Sequence, residues 1–128
     1  MRTRGGDKGD ARQRFDLGIA YVDLAGLADA DSGRAAIQAA VGNYVLAAIA
    51  FADAICLARL GRRSADPDHA QAAQLLSTVD RSGADALKKV LSYKTRAQYG
   101  PISMSTDELK RAERLTAVLR RLATQALS

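Results

Sequence analysis

The chain has 128 residues, a formal net charge of +5 and a pI near 9.7. One Cys excludes an intramolecular disulfide, and one Cys with one His cannot furnish a tetrahedral zinc site of soft ligands. Hydrophobic residues reach 48% but aromatics only 5%, which argues against a sheet and for Ala-rich helices packed closely in one domain.

The basic balance suits an acidic partner such as nucleic acid, and equally suits arginines spread over solvated faces. The first residues are charged and carry no apolar leader, so the expectation is a cytoplasmic protein with Cys56 as a reduced core residue. Neither a metal nor any other cofactor is expected.

Residues 1–9 hold three glycines and no apolar period, and are expected as a mobile tail before a single helical domain over 10–128. The first helix is predicted from about Asp10 to Ala30. Phe15, Leu17, Ile19, Val22, Leu24 and Leu27 give it apolar surface, and Gly18 and Gly26 weaken it. Asp31 or Ser32 can cap the next helix.

The second helix, about Gly33 to Arg62, is nearly continuous apolar sequence from Val41 to Leu60. Asn43, Asp53 and Arg59 argue against a membrane span, because lipid cannot satisfy them. A buried central helix is expected instead. This helix is also expected to serve a dimer interface, with Ala48, Ala50, Ala52 and Ala54 permitting close helix approach in a homodimer. Gly61 ends the pattern, and Arg59, Arg62 and Arg63 suit the negative end of the helix dipole.

A third helix is predicted from Pro67 to about Val79, capped by Asp66, with His69 in its first turn. The positive end of that helix would disfavour a protonated imidazole. Ser82 is expected to cap a fourth helix running to Tyr99. Its inner side is Leu87, Val90, Leu91 and Ala97, its outer side Lys88, Lys89 and Arg96, and Gly100-Pro101 stops it.

Ser105 and Glu108 have capping-box spacing and open the last helix. There Leu109, Ala112, Leu115, Leu119, Leu122 and Ala126 face inward, and Lys110, Arg111, Arg114 and Arg121 face solvent. The expected fold is therefore all-α, a five-helix bundle around a long central apolar helix.

The chemistry-bearing pattern is Arg63 and His69, flanking Ser64-Ala65-Asp66-Pro67-Asp68 at the end of the longest apolar run. A guanidinium can grip phosphate oxygens in a fork and offset developing charge. An imidazole can move a proton near neutral pH. The plainer reading is a basic helix end followed by a solvated His.

The order of segments bears on that choice. An apolar helix leads to a Gly-containing break, a His opens the next helix, and a later helix carries Lys94, Arg96 and Tyr99. This order, over roughly residues 35–127, resembles the HEPN superfamily of small helical domains. Many HEPN members are metal-independent ribonucleases marked by Arg, four to six residues, then His. Ser64 departs from the Asn, Asp or His often found after that Arg, and the motif lies mid-chain rather than late.

The resemblance implies two alternatives. The first is a metal-independent endoribonuclease in which Arg63 clamps the scissile phosphate and His69 serves as acid or base. Arg62, Ser64, Lys94, Arg96 and Tyr99 would contact phosphate or RNA, and Asp53 would support one of the cations from within. RNA brings its own 2′-hydroxyl nucleophile, but a single His would require a homodimer that lines one cleft with both motifs. The second is a non-catalytic module that holds nucleotide, RNA or a protein partner. The resemblance allows that partner to be a nucleotidyltransferase or an antitoxin. A helical dimer without cleft chemistry is the third reading.

Overall fold

The computed structural model describes residues 1–29, 31–99 and 104–128, apart from the side chains of Thr95, Gln98 and Tyr99. The bundle has the expected all-α architecture of five main helices, the longest of them apolar and central.

The N-terminal segment is the first difference. Residues expected as a mobile tail include strand β1, Thr3–Gly5, which pairs antiparallel with strand β2, Arg62–Ser64. A strand pair at the surface needs only unpaired N–H and C=O groups, so apolar periodicity gives no warning of it. The ladder is extended at both ends. Ala65 donates its N–H to the Arg2 carbonyl at 2.9 Å, and Gly6 donates to the Gly61 carbonyl at 3.1 Å.

Helix α1 spans Lys8–Ala25 and starts in a reciprocal capping box between Asp7 and Asp10. It ends five residues short of the expected Ala30. In its last turn Leu24 is 56% exposed and just past it Leu27 is 82% exposed, so the expected apolar face does not continue into the core. The buried positions are Ala11, Gly18 and Ala25. Gly18 is a packing residue: a Cβ there would stand 2.6–2.9 Å from the Phe51 ring.

Helix α2, Arg34–Leu60, is the spine. Its start is Gly33 with no side-chain cap; the Ser32 hydroxyl instead accepts from the Asp29 N–H at 2.9 Å, and the Asp31 N–H donates to the Asp29 carboxylate at 2.9 Å. Its most apolar window, with mean hydropathy 1.8, is 78% buried inside the fold. Val41, Val45, Phe51, Ile55 and Leu57 are buried, each contributing about 1.5–3 kcal/mol by leaving water. Ala48, Ala50, Ala52 and Ala54 are buried too. They are used within the protomer, against its own helices, and offer no surface to a second copy. Gly61 closes the helix at φ +72°, the left-handed conformation that favours Gly, and its N–H reaches the Leu57 carbonyl.

Helix α3 is Ala70–Ser77, shorter than expected. Asp66 does not cap it. Its carboxylate accepts the Arg2 backbone N–H at 3.1 Å, holding the N-terminal strand, so Pro67 stays outside the helix. Asp68 takes over near the helix start, accepting from the Ala70 N–H at 3.0 Å. Helix α4, Arg81–Leu91, is capped by Asp80 rather than Ser82; Asp80 accepts from the Gly83 N–H at 2.7 Å and from the Ser82 hydroxyl. The expected fourth helix breaks at Ser92-Tyr93 and resumes as the short α5, Lys94–Tyr99. The stop expected at Gly100-Pro101 lies outside the described residues.

Helix α6, Thr106–Leu127, carries the Ser105–Glu108 capping box as expected. Helices α1 and α6 pack on α2, α3 packs on α4, and α4 in turn packs on α6. Thr116, buried on α6, donates its hydroxyl to the Tyr44 carbonyl at 3.2 Å and so ties α6 to α2. Gln38 does the same for α5, donating to the Ala97 carbonyl at 2.7 Å.

Candidate functional site

Arg63 sits in the middle of β2, directly opposite Arg4 of β1. Opposed residues of an antiparallel pair share a face. Both arginines therefore line the same cavity, of about 270 Å³, together with Arg14, Asp10, Gln13 and Leu57. None of the three arginines forms an ion pair within the described residues. Among the described residues the Arg63 side chain makes one hydrogen bond, from Nη1 to the Ser64 carbonyl at 3.3 Å.

Asp53 lies beneath this cavity, 7% exposed, on the inner side of α2. Burial raises its carboxyl to a pKa of about 6, against the opposing pull of Arg63 and then Arg14. Asp53 forms no ion pair with a site cation among the described residues; Arg63 and Arg14 act on it only through their charge. Cys56, one turn on, is buried, and its thiol is pushed up to about 12 by burial and then by Asp53, against Arg62.

His69 lines a different cavity, of about 310 Å³, with Asp68, Lys88, Leu91 and Lys94. Among the described residues, none is common to the linings of the two cavities. His69 is held below its ordinary pKa by burial, then by the Lys94 charge, with Asp68 pulling the other way. Burial and the Lys94 charge both favour the neutral imidazole, in which one ring nitrogen can accept a proton.

The other expected site residues divide. Lys94 joins His69. Arg62, exposed, follows Gly61 on β2 and, being next to Arg63 in a strand, leaves by the opposite face. Ser64 is buried, and its Oγ accepts from the Asp66 N–H at 3.4 Å, so it belongs to the turn. Arg96 is drawn into a fork with Glu108, its Nη2 donating to Oε1 at 3.3 Å, which anchors α5 to the start of α6. Tyr99 ends α5, and its side chain lies outside the described residues.

Three residues were not foreseen: Arg4, Arg14 and Lys88. Arg14 was legible in principle, since Asp10, Gln13 and Arg14 recur at helical spacing beside the buried Ala11 and Gly18. Arg4 was not, because its place depends on a strand partner almost sixty positions away.

In chemical terms, the first cavity can hold an anion and the second can accept a proton beside two lysines. Within the protomer Arg63 and His69 line separate cavities. No protein-family model matches the chain, and no curated protein is significantly similar to it.

Proposed function

We propose that this chain is an HEPN-like helical module that binds RNA through its phosphates without cleaving it. The observation that carries this reading is the separation of Arg63 and His69 into two cavities, each lined by cations. Arg4, Arg14 and Arg63 offer guanidinium forks on one side, and Lys88 and Lys94 offer point charges on the other. The segment from Ser64 to Asp68 runs between them. A strand of phosphates has two places to be held and no single place where clamp and base act on the same bond.

A second reading, a metal-independent endoribonuclease, has one observation in its favour. Neutral His69 beside Lys94 has the protonation state of a general base toward a 2′-hydroxyl. It needs a second copy of the chain to bring its own Arg63 to that imidazole.

One experiment separates the two. Wild-type protein and the His69→Ala variant are titrated with a fluorescent single-stranded RNA in EDTA, and the RNA is then run on a gel. Binding is expected to weaken with salt, with a slope of about −0.7 per phosphate contact, and the RNA is expected to stay intact. Cleavage that disappears in His69→Ala supports the nuclease reading. Absence of binding at low salt refutes both.

A further inference from the structure

The Arg4–Arg14–Arg63 cavity is built in a way that a bundle does not require. Arg4 and Arg63 stand directly opposite in the β1–β2 register, where like charges repel. Arg14 adds a third cation from α1, and no described acidic group pairs with any of them. Asp10, the acidic group in the lining, already accepts the Asp7 N–H at 2.9 Å in the helix cap. Asp53, buried on α2, makes no ion pair with them among the described residues.

The lining also limits the ligand. Among the described residues of the lining there is no aromatic side chain, so a base would find no ring to stack on. At about 270 Å³ the space is smaller than the roughly 300–1,000 Å³ of pockets that enclose whole small molecules. Three arginines line it, and a guanidinium can grip oxygens in a fork. A phosphodiester within a strand has two non-bridging oxygens. A phosphate monoester has three, and carries close to two negative charges at neutral pH.

We propose that this cavity is a binding site for a terminal phosphate, a phosphate monoester or inorganic phosphate, and that the bound anion clamps the N-terminal strand onto the bundle. A two-stranded ladder of three residues a side is marginal in water by itself. An anion shared by Arg4, Arg14 and Arg63 ties β1 to both β2 and α1, and replaces the cross-strand repulsion with attraction. The assignment of a strand end as the source of the phosphate rests on the RNA-binding reading above; the anion site itself does not.

The test uses the full chain, its Arg4→Gln variant and an Arg114→Gln control on the solvent face of α6. One oligoribonucleotide is prepared with a 5′-phosphate and with a 5′-hydroxyl, and inorganic phosphate is titrated separately while amide exchange is followed at Thr3–Gly5. Arg4 is exposed and its replacement removes no core contact, so the variant is expected to fold. The expected result is about tenfold tighter binding of the 5′-phosphate form, equivalent to about 1.4 kcal/mol. Arg4→Gln abolishes that preference and Arg114→Gln keeps it. Inorganic phosphate slows exchange at Thr3–Gly5 in wild type and not in Arg4→Gln.

Equal affinity for the two oligoribonucleotides, with no slowing by phosphate, overturns the proposal while leaving RNA binding standing. Slowing by phosphate when neither oligoribonucleotide binds supports the anion site and removes the RNA-binding function. Slowing that persists in Arg4→Gln overturns the clamp.

Discussion

Asp53→Asn is the most informative single change in the core. The carboxyl is 7% exposed, and burial lifts it from an ordinary 3.8 to about 6, although Arg63 and Arg14 pull it down. Each tenfold change in proton affinity is about 1.4 kcal/mol. The ionised form is thus disfavoured in the fold by about 3 kcal/mol, taken as a ceiling, relative to the unfolded chain.

Proton counting sets the sign. Between about pH 4 and 6 the native state binds more protons than the unfolded state, so the Asp53 contribution falls as pH rises through that window. Above it the full penalty remains, and below it there is none. Asn keeps the shape and removes the charge. Urea unfolding at pH 7.5 is expected to find Asp53→Asn about 1–3 kcal/mol more stable than wild type, with an unchanged m-value. At pH 4 the two should agree closely. Equal or lower stability of the variant at pH 7.5 would refute the reasoning, because it would mean that the arginines fully offset desolvation. The same variant removes the nearest buried counter-charge to the arginine cavity, so its affinity for inorganic phosphate should rise.

Two glycines in the helices predict opposite outcomes. Gly18→Ala drives a methyl into the Phe51 ring and should destabilise by about 1–3 kcal/mol in chemical denaturation, less the helix-propensity gain, whereas Gly42→Ala, with nothing within 4 Å, should stabilise by up to about 1 kcal/mol. Equal effects would refute the assigned packing. Cys56, buried and with its thiol pushed up to about 12, should resist alkylation at pH 8 and label at the rate of global unfolding when urea is added; fast labelling in native buffer would contradict its burial. His69 should titrate by NMR below 6.5, and Lys94→Ala should move it upward; a midpoint above 6.5 in wild type would mean that Asp68 outweighs both burial and Lys94.

Much of the fold was legible because the signals that make it are local. The Ser105–Glu108 cap, the Gly61 stop and the inward row from Leu109 to Leu119 each arise from a few adjacent residues, and each is in place. The misses share one cause, competition from a distant partner. Asp66 could have capped a helix at Pro67, but the Arg2 N–H, 64 positions earlier, takes its carboxylate. Gly18 looked like a weak point in a helix until Phe51 occupied the space it leaves.

The site was partly legible for the same reason. Residue type and charge singled out Arg63, His69, Lys94 and Asp53. Which of them share a cavity is set by β1 and by the turn after β2, and no spacing rule reaches that far.

The row of small residues along α2 limits how this sequence can drift. Ala47, Ala48 and Ala54 are fully enclosed, and Ala52 almost so. Ala47 with Ala54, and Ala48 with Ala52, give α2 two faces reduced to methyl groups, each letting a neighbouring helix axis come near the short end of the usual 8–10 Å range, about 8 Å. Such a seam can accept a smaller residue at the price of a loosened helix, but any larger one must lever a neighbouring helix outward. Substitutions there are one-sided in volume, and the permitted alphabet shrinks to about Ala, Gly and Ser. Half-buried Phe15, Ile19 and Leu115, at the margin of the core, have no such ratchet and can exchange size among themselves. A library of random variants should therefore show its sharpest intolerance not at the bulky residues of the core but along its thinnest line.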